Sequence, residues 1–173
     1  MASTSASNSA STPVVQDQPT AKRNAKETSF NAAGMSELVT FLIGSSETKF
    51  IIHKKFACEE SPVVRAAFNS SFVEGQTQEY TLADSTEATF TLFTEWMYTG
   101  NIVNKLAHGT PVAEVGNTQV NLLELWVLAD KLLVPQLQTR ALYLFDKIRN
   151  KFNNLCIYKY KYVWENTQRR LCS

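Results

Sequence analysis

Short apolar runs near position 40 predict a β-hairpin. Residues 38–43 and 49–53 are rich in β-branched and aromatic side chains, and a segment of Gly, Ser, Glu and Thr separates them. Gly44 can take the positive φ that a tight turn needs. Apolar residues follow one another in both runs with little alternation, which is typical of strands covered on both faces. We therefore expect helices on both faces of this sheet.

Helical patterning begins directly after the hairpin. Ser61-Pro62 indicates a helix start, because serine can cap the first turn and proline lacks only an N–H that would be unpaired there. Val64 and Phe68 follow at helical spacing on the apolar face. Residues 78–82 then predict a short strand.

A longer helix is predicted after this strand. Asp84 and Glu87 form a capping-box pattern at its start, and Gly100 is a C-cap at its end. The apolar face is broad, which favours a central position in the fold. The members of that face are Phe90, Leu92, Phe93, Trp96 and Met97.

The last two helices are the clearest in the chain. Residues 101–119 are punctuated by Gly, Pro and Asn and predict a loop. Beyond it, apolar residues hold helical spacing over 122–133 and again, after Pro135, over 137–148. Because few residues separate the two, we expect an antiparallel pair.

The composition indicates one domain with tails. Residues 1–29 contain no aromatic, Leu or Ile residue, so we expect a disordered tail ahead of a domain at 30–150 and a partly ordered extension at 151–173. No apolar run approaches the roughly 20 residues of a membrane span, and no secretory signal is present. Three cysteines without a CxxC pair indicate reduced thiols, and hence a cytoplasmic or nuclear protein.

The stretch FIIHKKFACEESPVV gathers the residue types of catalytic and metal sites, but their spacing argues against both. His53, Cys58, Glu59 and Glu60 lack the two spaced ligand pairs of structural zinc, and the chain has no nucleophile or phosphate-binding motif. We expect no catalytic residues, no metal and no cofactor. His53 is expected to close a strand and bond backbone groups, Cys58 to pack, and the glutamates to face a helix start.

Nucleic acid is not an expected partner, although one segment has suitable residues. The net charge of +1 gives no general attraction to phosphate. In CIYKYKYVWENTQRR, aromatic residues alternate with lysines and could stack on bases. The same alternation describes a half-exposed strand or a tail docked by its rings, and these alternatives remain open.

The order of hairpin, paired short helices, strand and helix resembles the BTB/POZ domain, and in particular the short stand-alone BTB proteins of filamentous fungi. The match covers about residues 36–167. The residues that carry it include Ser36-Glu37, Phe50, His53-Lys54, Ser61-Pro62, Arg65-Ala66, Phe68, Phe72, Glu74, Phe90, the run from Trp96 through Tyr98 to Gly100, and Ala129-Asp130-Lys131.

This resemblance implies a compact α/β (α+β) domain, with a small mixed sheet flanked by a cluster of helical hairpins. It implies no catalysis and no small-molecule substrate. The implied partners are proteins: a second copy, a cullin of a ubiquitin ligase for which the chain would be a substrate adaptor, or a transcriptional co-regulator held on a scaffold. The implied partner-binding residues are Phe72, Tyr98, Asn101, Leu122 and Glu124.

Overall fold

A computed structural model describes residues 36–103, 106–107 and 109–153. The predictions for the N-terminal tail and for the extension beyond residue 153 lie outside these residues. Within them, the elements follow in the order β1 (Leu38–Ile43), β2 (Thr48–His53), α1 (Lys54–Glu60), α2 (Pro62–Phe68), α3 (Val73–Thr77), β3 (Glu79–Leu82), α4 (Glu87–Thr99), α5 (Val112–Lys131) and α6 (Pro135–Phe152). The predicted mixed α/β class is confirmed.

The three strands form one sheet in the order β2-β1-β3, with β1 antiparallel to β2 and parallel to β3. Side chains alternate between its faces: Val39, Phe41 and Ile43 are buried, while Leu38 points to the other face and is exposed. The expectation that both faces are covered was wrong. The helices in the described part of the chain bury one face and leave apolar residues of the other face in solvent.

Aromatic packing connects the buried face of the sheet to α4, as expected for a central helix. The ring of Phe90 lies 5.0 Å from that of Phe41, 4.9 Å from Phe50 and 5.5 Å from Phe93, centroid to centroid. Phe41, Phe90 and Phe93 have no exposed surface. Such ring pairs stabilise a core beyond the burial of their area.

The predicted start of α2 is confirmed. Ser61 is the N-cap, and its hydroxyl accepts a hydrogen bond from the backbone N–H of Val64 at 3.1 Å, with Pro62 in the first helical position. The same hydroxyl donates to the carbonyl of Leu132 at 2.7 Å, 71 residues along the chain. One buried side chain therefore ties α2 to the end of α5.

Two boundaries differ from the sequence predictions. The N-cap of α4 is Thr86, whose hydroxyl accepts from the N–H of Thr89, while Asp84 forms an ion pair with Lys131 at 2.6 Å. Helix α5 begins at Val112, inside the predicted loop, and residues of its first two turns are buried. Tertiary packing has overcome the weak helix propensity of the Gly-Asn pair within it.

Helices α5 and α6 pack against each other across a connection of three residues, 132–134. In the ranges described above, no helix is both long and apolar enough to span a bilayer.

Candidate protein-interaction surface

His53, at the end of β2, is held by the exposed tyrosine of α4. The hydroxyl oxygen of Tyr98 accepts the backbone N–H of His53 at 3.2 Å and lies 2.8 Å from its Nδ1. The Tyr98 ring also packs 5.1 Å from the ring of Phe56. We expected His53 to bond backbone groups; its side chain instead bonds a side chain 45 residues away.

Cys58 and Glu60, which also suggested a catalytic or metal site, have separate surroundings in the structure. Cys58 is half-buried, and this burial raises the pKa of its thiol despite the lowering effect of Lys54 and Arg65. Glu60 accepts a hydrogen bond from the indole N–H of Trp96 at 3.2 Å. Among the residues that the structure describes, no three His, Cys, Asp or Glu side chains are grouped so that they could hold a metal ion.

The open face of the hairpin presents the exposed apolar side chains Leu38 and Ile51. Together with His53 and with Tyr98 of α4, we call them the β1–β2 patch. In the strand register Leu38 lies opposite His53, and Ile51 precedes His53 by two positions, so these three side chains share one face. Tyr98 contacts this group through its hydroxyl, which lies 2.8 Å from Nδ1 of His53. Leu38 is 54% exposed, Ile51 65% and Tyr98 41%.

Charged groups border this patch. Lys54 donates its backbone N–H to the carbonyl of Glu37 at 2.9 Å, and its ammonium lies 3.3 Å from the Glu37 carboxylate. Lys49, on β2, is exposed. An apolar centre with a charged rim is the composition of a protein–protein interface.

The structure does not gather the five predicted partner-binding residues at one place. Phe72 is exposed at the N-cap of α3, beside the exposed Val73. Asn101 is exposed, and its side-chain oxygen accepts from a guanidinium N–H of Arg140 at 2.6 Å. Tyr98 belongs to the β1–β2 patch.

The remaining two predicted residues serve the fold of this chain. Leu122 is only 2% exposed and belongs to the core, so its side chain does not face a partner. A Glu124 carboxylate oxygen accepts from the hydroxyls of Thr86 and Thr89, both at 3.0 Å, and so anchors the start of α4. Helical periodicity had already placed Leu122 on the apolar face of its helix.

Several residues that carry the family resemblance contact other parts of the fold in this structure. Ser61, Phe68 and Ala129 are buried, and Gly100 takes φ 68° as the left-handed C-cap of α4. Asp130 accepts from the side-chain amide of Gln138 at 3.2 Å and so links α5 to α6.

Sequence reasoning missed Leu38 and Ile51 as surface residues. The signal was present as apolar residues at consecutive strand positions, which we interpreted as burial on both faces. The same pattern arises when one face is left for a partner, and the sequence alone does not distinguish the two cases.

This chain is similar to a known domain family and to a solved structure. A family model for the BTB/POZ domain matches residues 31–148. Among solved structures, the chain is similar to the BTB (Tramtrack and Bric a brac) domain of human gigaxonin, with 16% identity and a TM-score of 0.44 over 61% of this chain and 75% of that one. No curated protein matches the chain.

Proposed function

This chain belongs to the BTB/POZ domain family, and we propose that it is a non-enzymatic protein-interaction module that uses the β1–β2 patch to associate with a second copy or to recruit a partner. BTB domains are protein–protein interaction modules. The observation that carries the proposal for this chain is the exposure of Leu38 and Ile51 on one face of the hairpin, beside the partly exposed Tyr98. Contiguous exposed apolar side chains mark interaction sites more often than scattered ones do.

The position of β2 supports the proposal. In the described sheet β2 is an edge strand, since the order is β2-β1-β3. An edge strand with exposed apolar side chains tends to be covered by another chain. A partner on this patch would bury Leu38 and Ile51, and removal of each of these side chains from water would contribute about 1 to 2 kcal/mol.

The test replaces Leu38 and Ile51 together by serine in the full chain. We expect self-association, measured by sedimentation equilibrium, or recovery of a partner, measured by affinity purification with mass spectrometry, to weaken about ten-fold or more. The matched control is Leu133→Ser, because Leu133 is 54% exposed, as Leu38 is, but lies after α5. A wild-type chain that stays monomeric and recovers no partner would contradict the proposal, as would equal effects of the patch and control variants.

A second candidate function is a substrate adaptor of a cullin-type ubiquitin ligase, and the exposed pair Phe72 and Val73 supports it. An adaptor needs a second surface. Phe72 is the N-cap of α3 and Val73 is its first residue, so both lie outside the β1–β2 patch. Phe72→Ser should then abolish cullin recovery and leave self-association unchanged. A cullin recovered equally by wild type and variant would exclude this surface. Recovery of transcriptional co-regulators instead would indicate a transcription-associated scaffold, and either role requires a cytoplasmic or nuclear location.

A further inference from the structure

The outer edge of β2 carries backbone groups that point away from the rest of the sheet. The N–H of Thr40, on β1, donates to the carbonyl of Gln78 at 3.0 Å, on the side of β1 where β3 lies. Ile51 lies opposite Thr40 in the antiparallel register. Opposed residues of such a pair turn their N–H and C=O either towards each other or away from each other. The N–H and C=O of Ile51 therefore point to the open edge, and those of Lys49, two positions earlier, do the same.

Two hydrogen bonds agree with this alternation. Lys54, three positions after Ile51, directs its N–H inwards to the carbonyl of Glu37 at 2.9 Å. His53, two positions after Ile51, directs its N–H outwards to the hydroxyl of Tyr98 at 3.2 Å. Tyr98 thus takes the place that a neighbouring strand would have beside His53, and it closes the edge at that end.

The outward groups of Lys49 and Ile51 are available to another chain. Among the residues that the structure describes, none forms a hydrogen bond with them. The two side chains share the open face of the hairpin, where Ile51 is 65% exposed and Lys49 is exposed as well. Lys49 has no ion-pair partner within the described ranges. An added strand would therefore meet an apolar side chain at one position and an ammonium group two positions away.

The β2 edge of a second copy does not fit this edge well. If two β2 strands paired about a two-fold axis with Lys49 opposite Ile51, the two Lys49 side chains would be diagonal neighbours, about 7 to 8 Å apart, and would repel each other. If Ile51 lay opposite Ile51, then Lys49 would lie opposite His53, whose N–H is already bonded to Tyr98. Neither register places a carboxylate beside Lys49.

The other edge strand of a second copy, β3, offers a carboxylate but not the rest of the pattern. Its first residue is Glu79, which could lie opposite Lys49 in an antiparallel pair. The residue opposite Ile51 would then be Thr77, which belongs to helix α3. The charges and the secondary structure of this chain therefore favour a different polypeptide at the β2 edge.

We propose that the β2 edge binds an extended segment of a partner protein as an added antiparallel strand, with an apolar residue opposite Ile51 and, two residues later, an acidic residue opposite Lys49. This mode of binding rests on the proposed function and specifies the partner that the β1–β2 patch recruits. In such strand addition, main-chain hydrogen bonds supply affinity and alternate side chains supply specificity. The direction is antiparallel because parallel pairing is slightly less stable per residue.

The experiment titrates the isotope-labelled full chain with the peptide acetyl-Thr-Val-Thr-Glu-Thr-amide and follows the amide resonances by NMR. We expect the largest shifts at Lys49 and Ile51. N-methylation of the peptide valine removes the donor to the Ile51 carbonyl and should weaken binding about ten-fold. The matched control is N-methylation of the central threonine, because its N–H points to solvent in the added strand. This control peptide should bind as the unmethylated peptide does.

A charge exchange tests the residue opposite Lys49. Wild type should bind the original peptide about three-fold more tightly than a peptide with lysine in place of glutamate. Lys49→Glu should reverse this preference, because the attraction and the repulsion exchange places. The dispersion of the core amide resonances reports that the variant is folded.

Four results would overturn the proposal. These are the absence of shifts at Lys49 and Ile51, equal binding of the two N-methylated peptides, the same order of peptide affinities in wild type and Lys49→Glu, and shifts of these amides that depend on the concentration of the chain without peptide. The last result would assign the edge to a second copy. The test of the proposed function with Leu38→Ser and Ile51→Ser measures association of the full chain instead, so each of the two proposals can fail separately.

Discussion

Replacement of Ser61 by alanine should destabilise the domain strongly, although it removes a single oxygen atom. The Ser61 hydroxyl is buried, accepts from the Val64 N–H at 3.1 Å and donates to the Leu132 carbonyl at 2.7 Å. Loss of the helix cap costs about 1 kcal/mol. Removal of the donor to a carbonyl in this buried contact costs about 1 to 3 kcal/mol more. We expect the free energy of unfolding to fall by about 2 to 4 kcal/mol.

The chain contains a matched control for this substitution. The hydroxyl of Ser70 also donates to a carbonyl, that of Ala67 at 2.7 Å, and accepts from a backbone N–H, that of Phe72 at 3.2 Å. Both its bonds are local and the residue is only partly buried, so water can replace them in Ser70→Ala and the loss should stay near about 1 kcal/mol. Urea unfolding monitored by circular dichroism measures both variants. Equal losses would refute the argument that burial and the link to Leu132 make Ser61 important.

Two further changes test the packing of α3 and the environment of the thiol. A Cβ at Gly75 would lie 1.9 Å from the backbone oxygen of Ser70. Gly75→Ala should therefore lower the free energy of unfolding by about 1 to 3 kcal/mol. The control Val73→Ala, at an exposed position of the same helix, should change the free energy of unfolding by less than about 0.5 kcal/mol. Burial raises the pKa of the Cys58 thiol, so in a chain with Cys156→Ser and Cys172→Ser its alkylation should reach half-maximal rate at a higher pH than that of a cysteine in a short peptide, because only the thiolate reacts. A midpoint at or below that of the peptide would contradict this expectation.

The sequence predicted the elements whose signals are local. Ser61-Pro62 and Gly100 mark helix ends because a cap acts within one turn of its own helix, and the structure confirms both. The start of α5 at Val112 could not be predicted in this way, because it depends on the packing of that first turn against the core. For the same reason the bond from Ser61 to the Leu132 carbonyl, 71 residues away, left no pattern in the sequence.

The surface was less predictable than the fold. Tyr98 was identified through family resemblance and is exposed, but Leu122 was identified in the same way and is buried. A family resemblance indicates which positions bind partners in related proteins. Whether a side chain at such a position is exposed depends on how this chain packs its helices. Leu38 and Ile51 could be identified as surface residues only once the strand register was known. The register determines which side chains share a face, and the hairpin sequence does not determine the register.

His53 and Tyr98 both carry the family resemblance, and their contact lies at the proposed interaction surface. The Tyr98 hydroxyl meets both the backbone N–H and the ring of His53, and its own ring packs against Phe56, so the half-exposed side chain is held in one orientation. A free tyrosine would lose rotamer freedom on binding, at a cost of about 0.5 to 1.5 kcal/mol. Because the fold has already ordered this ring, a partner on the β1–β2 patch avoids most of that cost. We therefore expect His53 to affect binding through the position of Tyr98, and for this reason it belongs to the proposed interaction surface.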